Sequence, residues 1–303
     1  MDAIKCPLCG GVHSKLAFRV GDVRVQRGGK TFDYYRCADC TATFIHPFPD
    51  YVALEDFYGE EYFDSHNITS ASGLIESLRY IKKFFKLGGV FESIFQKERK
   101  KIFSVPGGNF LDVGCATGMQ NIRLMREFPS WHFYGVEPDE FAFQQAKQLP
   151  NFHVTKGFLQ DAHFPDDFFD VVLLSQVLEH IENPISVITE CRRILKRGGK
   201  LIITVPNAYS LSSKIFGKYW YNVDAPRHLY QLNPQSLRFI MKRAGFTDIK
   251  IKKEHLRGSF IKSSLIIFGT HPDKFDNNFL YLITNNIFRR INFGGGIYMI
   301  MIK

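Results

Sequence analysis

A chain of 303 residues, 45% apolar and 23% charged, has the composition of a globular protein and excludes a disordered one. Its length allows one large core or two modest ones. The formal charge is +9, and between Arg238 and Lys303 there are 12 Lys and Arg against 4 Asp and Glu, a net +8 in the last fifth of the chain, which suits either an anionic partner or a solvated basic face. The start, MDAIKCPLCGG, lacks a basic segment followed by an apolar one. No apolar run reaches the ~18 residues of a spanning helix. Both features predict a cytoplasmic protein.

The first 60 residues carry two C-x2-C pairs, Cys6 with Cys9 and Cys37 with Cys40. Each knuckle turn aims two sulfurs at one point, so two knuckles supply the four thiolates of a tetrahedral zinc site, and a reducing compartment disfavours disulfides there. Between the pairs, alternating residues around Leu16 to Val25 and Thr31 to Tyr35 predict strands about a Gly28-Gly29 turn, and Thr43 to Phe48 predicts a third strand. Two helices are expected next, from the three and four residue spacing of Leu74, Ile75, Leu78, Ile81, Phe84 and Phe85 and from Val90 to Ile102. They make residues 61–105 a helical linker. Pro106-Gly107-Gly108 marks the boundary to the main unit, residues 106–303.

There strands and helices alternate, which argues for a mainly parallel sheet. Strands are expected at 109–112, 132–136, 152–155, 169–174, 200–205, 247–253 and 296–303. Helices are expected from Met119 to Phe128, from Pro184 until Gly198-Gly199, and around Leu237 to Ala244. Two connections are long, at about 206–236 and 258–293. Cys191 falls on an apolar helical face and is read as core.

The first of these strands runs into a small-residue turn, FLDVGCATGM, in which Asp112 precedes Gly114, Cys115, Ala116 and Gly118. Such a turn lets a ligand lie against bare backbone, and an acid ahead of the first glycine suits a cationic group rather than a pyrophosphate. Glu137 ends the next strand, followed by Pro138, where a carboxylate can accept hydrogen bonds from a ribose diol. The stretch resembles the first motif of class I S-adenosylmethionine-dependent methyltransferases. Three later runs also resemble that family: GFLQDAHFP from Gly157, VLEHIENP from Val177, and a segment from Pro206 holding P-N, F-G-x-x-W and P-R-H-L. The cysteine unit with its exit FYGEEYF looks like the zinc ribbon that precedes the methyltransferase domain in bacterial enzymes of sugar and polysaccharide pathways.

The resemblance implies a Rossmann-like, seven-stranded, mainly parallel sheet with helices on both faces, preceded by a small zinc ribbon. It implies S-adenosyl-L-methionine as cofactor, with structural Zn2+ on the four cysteines. Asp112 and the Gly114 to Gly118 turn would hold the methionine end, together with Ser175 and Gln176 at the end of the fourth strand. Glu137 and Pro138 would meet the ribose, and Leu159, Gln160 and Asp161 the adenine. Methyl transfer from a sulfonium needs mainly positioning. A histidine base helps if the acceptor is a hydroxyl, and His180 and His228 are the candidates. Tyr219, Trp220, Tyr221, Arg227 and His228 lie in the long 206–236 connection, where they can supply stacking surfaces and an anion clamp.

Glu179 and His180 form a potential metal pair, but Gln176 stands where a third acidic ligand is needed, so no second metal is expected. The absence of N/D-P-P-Y speaks against exocyclic amines of nucleobases. The favoured reading is O-methylation of a sugar or glycan precursor. Its rivals are a zinc-ribbon RNA methyltransferase and a non-catalytic zinc-dependent binding protein of the same fold. Residues 258–293 hold SFIKSSLIIF, FLYLITNNIF and Arg289-Arg290. They suit an anionic, lipid-linked acceptor or a peripheral membrane contact, or else a helical cover or dimer interface.

Overall fold

The computed structural model describes residues 4–22, 29–50, 57, 94–254, 256, 259–272 and 295–303. The helix expected at 74–85, the FLYLITNNIF stretch and Arg289-Arg290 lie outside these residues. Two sheets organise the rest.

The smaller sheet holds β1 (Ser14–Gly21), β2 (Thr31–Cys37), β3 (Thr43–Ile45) and β9 (Tyr230–Gln231), in that order and antiparallel throughout. Its fourth strand comes from the long 206–236 connection. The cysteine unit is therefore joined to the main unit through backbone pairing, Phe44 opposite Tyr230 and Thr43 opposite Gln231. Asn233 extends the seam by donating from Nδ2 to the Thr41 carbonyl at 2.8 Å.

The larger sheet contains β4 (Asn109–Val113), β5 (His132–Glu137), β6 (Phe152–Lys156), β7 (Phe169–Ser175), β8 (Leu195–Pro206), β10 (Ile249–Glu254) and β11 (Gly296–Ile302). The spatial order is β10-β11-β8-β7-β4-β5-β6, with β11 antiparallel to both its neighbours and the pairs from β8 through β6 parallel. This is the seven-stranded Rossmann-like sheet expected. Its central strands bury nearly every side chain: Phe110, Leu111, Val172, Leu174, Ile202 and Ile203 are all at 0% exposure. Full burial of each contributes ~1.5–3 kcal/mol. Chain order reverses at β4, which has β5 on one side and β7 on the other. A crevice at the carboxyl ends of such strands is where open α/β sheets bind ligands.

The helices of the described residues are α1 (Ile94–Ile102), α2 (Ile122–Glu127), α3 (Glu140–Lys147), α4 (Pro184–Ile194), α5 (Leu211–Phe216), α6 (Pro234–Arg243) and α7 (Ser259–Ile267). Their starts carry clear signals. Asp139, Asn183, Ser210 and Asn233 each accept a hydrogen bond from a backbone N–H of the first turn, and Pro184 and Pro234 occupy first positions that need no donor.

The helix expected from Met119 starts as a 3-10 turn, with α2 from Ile122, and the strand expected from 247 starts at Ile249; the largest boundary difference follows β7. The helix opened by Pro184 ends at Ile194 rather than at Gly198-Gly199, and β8 starts at Leu195. Leu195 is extended and pairs with Phe169, after which the register shifts; Gly198, at φ 79°, absorbs the extra residues as a bulge.

Candidate functional site

The carboxyl end of β4 turns through Gly114 (φ 68°), Ala116 (φ 47°) and Gly118 (φ 71°). The turn is tightly held from behind. A Cβ at Gly114 would lie 2.7 Å from Val177 Cγ2, and one at Gly118 would lie 2.7 Å from Leu149 Cδ1. Cys115 faces inward, its side chain packed against Gly135, so it offers backbone rather than thiol chemistry.

Asp112 lies beneath this turn, fully buried. Its Oδ2 accepts from Asn121 Nδ2 at 2.7 Å, while Oδ1 has no hydrogen-bond partner among the described residues. Burial pushes this carboxyl up to about 7, and the Glu137 charge adds to the rise. A cationic amino group at Oδ1 would satisfy both the missing hydrogen bond and the uncompensated charge. Glu137, on the neighbouring strand, accepts from Ala116 N at 2.8 Å and Asp139 N at 2.9 Å, so it fixes the turn while each oxygen keeps a second lone pair for a diol. Burial raises it to about 7 as well. The buried orphan oxygen, bare glycine backbone and second acid fit the cationic amino end and ribose of S-adenosyl-L-methionine.

Around this centre, Pro138 is half-buried directly after Glu137. Ser175, the last residue of β7, and Gln176 just beyond it meet Thr204 of β8: Ser175 Oγ and Thr204 Oγ1 are 3.1 Å apart, and Gln176 Nε2 donates to the same oxygen at 3.4 Å. Thr204 was not foreseen, since a threonine within an apolar strand carries no local signal. The adenine-side residues divide. Gln160 and Asp161 are exposed, with Asp161 Oδ2 accepting from Phe158 N at 2.9 Å, whereas Leu159 is buried at 2% exposure. The apolar surface on this turn is Phe158, 51% exposed, and Leu159 packs into the core instead.

The long connection departs from the sequence reading in two side chains. Arg227 is no anion clamp. Its guanidinium is 0% exposed and bonded to Asp224 Oδ1 at 2.6 Å and Asp22 Oδ1 at 2.8 Å, with a further bond to the Phe57 carbonyl at 3.2 Å. Trp220 is likewise buried at 1%, its indole N–H donating to Ser259 Oγ of α7 at 2.9 Å, so it packs the loop rather than offering a stacking face. Tyr219 is exposed, and Tyr221 is half-buried with Lys262 Nζ 4.7 Å from its ring centre. Helix α7 thus covers the connection, and Tyr221 N donates to Ser263 Oγ at 2.9 Å. No helix among the described residues is long and apolar enough to cross a membrane.

His180 and His228, far apart in sequence, are brought together. His180 belongs to a 3-10 turn, Leu178–His180, just after β7; the two rings meet edge to face with centroids 4.5 Å apart. His180 Nδ1 pairs with the Arg227 carbonyl at 3.0 Å and His228 Nδ1 with the Asn222 carbonyl at 2.8 Å. Burial holds His180 well below its ordinary value, with His228 as a second cause, so it is neutral near pH 7 and has the protonation state of a base.

The four knuckle sulfurs lie within 4.8 Å of one another, Cys6 to Cys40 at 3.6 Å and Cys9 to Cys37 at 3.5 Å, and none is in a disulfide. Four thiolates at ~2.3 Å from a tetrahedral ion stand ~3.8 Å from each other. The spacing fits a zinc cage.

Comparison with known proteins agrees with this geometry. Residues 90–251, more than half of the chain, match a family model described as a methyltransferase domain. An uncharacterised protein of Methanocaldococcus jannaschii is 29% identical over 174 residues, 57% of this chain and 81% of that protein. A probable S-adenosylmethionine-dependent methyltransferase of Mycolicibacterium smegmatis is 28% identical over 46% of this chain and 52% of its own length. A demethylmenaquinone methyltransferase of Listeria welshimeri is 30% identical over 35% and 49%. The chain therefore spans only about half the length of the latter two. A solved Thermotoga maritima structure described as a SAM-dependent methyltransferase and possible histamine N-methyltransferase aligns over 75% of this chain and 96% of its own, at 18% identity and TM-score 0.49. With more than half of its residues matched to that family model, and with the seven-stranded sheet and acid-flanked glycine turn described above, the chain belongs to the methyltransferase-domain family and has the class I S-adenosylmethionine-dependent methyltransferase fold.

Proposed function

We propose that the protein transfers a methyl group from S-adenosyl-L-methionine to a hydroxyl oxygen of a sugar or glycan precursor, and that Cys6, Cys9, Cys37 and Cys40 hold a structural Zn2+. The observation that carries the donor half is the Asp112 Oδ1 atom, buried without a hydrogen-bond partner among the described residues near the end of β4, beside Glu137 at the end of β5. When bound, the donor supplies an activated methyl group on a sulfonium. The chain's own residues align an acceptor with it and remove a proton, which positioning and a neutral imidazole can do. His180 and His228, paired just after β7, support a hydroxyl acceptor, because oxygen must lose a proton during transfer whereas a thioether or tertiary amine need not. The Tyr219 and Tyr221 rings, one exposed and one half-buried, suit the flat apolar faces of a sugar.

Incubation of the zinc-loaded full chain with methyl-labelled donor and a panel of nucleotide sugars, lipid-linked glycans, quinols and RNA tests the reading. Label on a sugar oxygen is expected. Transfer to RNA with steep salt dependence, or to a quinol ring carbon, would replace the acceptor class. Transfer to a lipid-linked glycan that needs α7 would assign the basic carboxyl-terminal region to an anionic lipid carrier.

A further inference from the structure

Just after β7 lies a second group of titratable side chains, joined by His228 of the long connection. Glu179 is 1% exposed, and neither carboxylate oxygen has a hydrogen-bond partner among the described residues. A carboxyl in that state is costly unless a proton or a cation compensates it. One ligand atom from each of Glu179, His180 and His228 falls within 4.8 Å of the other two. Both histidines present Nδ1 to a backbone carbonyl, which only accepts hydrogen bonds, so each Nδ1 carries the proton and the lone pair of the neutral ring belongs to Nε2. A carbonyl holding one imidazole nitrogen while the other meets a metal is the usual second layer of a histidine metal site.

The wider surroundings point the same way. Asp22, Asp224 and Arg227 are each at most 2% exposed in their side chains, and the Arg227 guanidinium pairs with both carboxylates. Asp224 Oδ2 stands 3.7 Å from His228 Nε2, which places a carboxylate beside the imidazole pair.

We propose that Glu179, His180 and His228 form a divalent-cation site on the acceptor side of the donor turn. Two imidazoles and a carboxylate suit a borderline cation such as Zn2+, Mn2+, Fe2+ or Co2+ rather than Mg2+ or Ca2+, and three protein ligands leave positions open. The site's task rests on the methyl-transfer reading; its existence does not. With both imidazoles engaged as ligands, the ion takes over the task otherwise given to an imidazole base: an acceptor hydroxyl bound at an open position loses its proton to water, and its oxygen attacks the donor methyl. The O–C bond forms as the C–S bond breaks, and the sulfur keeps the electron pair as a neutral thioether. The third ligand escapes local motif reading because it comes from the P-R-H-L segment and not from the Gln176 position.

Co2+ alone is the probe, added to chelator-treated full-length protein. Cobalt in a four-thiolate cage shows intense sulfur charge-transfer bands, whereas an imidazole-carboxylate site shows only weak d–d bands, so the two sites are read separately. The expected result is two Co2+ per chain. The weak-band site should lose at least tenfold in affinity in both Glu179→Gln and His228→Ala, while the thiolate bands stay. One Co2+ per chain, confined to the thiolate bands, would overturn the proposal and leave the histidines as a packed pair beside Asp224. Retention of the second ion in both variants would overturn it equally. Donor calorimetry on the same samples separates the two readings: two cobalt ions without donor binding would uphold the site and sink the methyl-transfer assignment.

Discussion

Arg227 shows how one residue type can serve opposite ends. An arginine in a long loop at the carboxyl edge of a sheet is a natural anion clamp, yet here it is sealed between Asp22 and Asp224. Arg227→Leu should therefore act on folding, by ~3–5 kcal/mol, because it strands two buried carboxylates. Thermal and denaturant melting read this; a variant that melts like wild type but has a raised KM for an anionic acceptor would restore the clamp. Asp112 makes a prediction in pH. Its folded carboxyl keeps a proton up to about 7 against an ordinary 3.8. The folded state therefore binds more protons between those values, and the stability that neutral Asp112 provides is complete below the lower value and lost as pH rises through the upper one. A ligand ammonium favours the ionised form, so affinity for S-adenosylhomocysteine should rise about tenfold from about pH 6 to about pH 8. Asn121, Gln120 and Glu137 face the same carboxyl, and only Glu137 among them titrates. Calorimetry across that range with Asp112→Asn as control checks the slope, which the substitution should flatten.

Among elements, the β4 turn is the most demanding. Gly114 combines a left-handed φ of 68° with a hydrogen-bonded N–H to the Val136 carbonyl and the nearby Val177 side chain. Gly114→Ala should cost ~1–3 kcal/mol of stability from strain and overpacking and weaken donor binding as well. Unchanged melting and unchanged binding would show that the turn relaxes freely. This turn was legible in the sequence because its chemistry is local: an apolar strand, an acid and small residues in order. So were the helix starts at Asn183-Pro184 and Asn233-Pro234, and the two cysteine knuckles. The β8 start was not, because Leu195 to Lys200 has no periodicity that separates a helix end from a bulged strand. Nor could local pattern reveal that Tyr230 and Gln231 pair with β3, that Asp22 meets Arg227 across 205 positions, or that His180 meets His228. Those contacts are set by tertiary packing. The burial of Leu159 was hidden for a related reason, since its family position does not say which side of the turn is core.

For the whole molecule, the cysteine unit is a scaffold for the 206–236 connection as well as a cluster of four thiols. Through β9, the Tyr34 hydroxyl bonded to the His228 carbonyl at 2.7 Å, and the Asp22 to Arg227 pair, it grips the segment that carries His228. Cys37→Ser should therefore raise amide hydrogen exchange in residues 224–233 together with residues 4–50, leaving β4 to β7 protected. An increase confined to the first 50 residues would show that the loop stands without them. The central claim, that Asp112 and Glu137 form a donor site in a class I methyltransferase, is tested most directly by calorimetric titration of S-adenosyl-L-methionine into the zinc-loaded chain. One donor per chain is predicted, weakened by ~1–3 kcal/mol in each of Asp112→Ala and Glu137→Ala through lost charge-assisted hydrogen bonds. No heat of binding in folded, zinc-loaded wild type, or equal affinity in both folded variants, would contradict it.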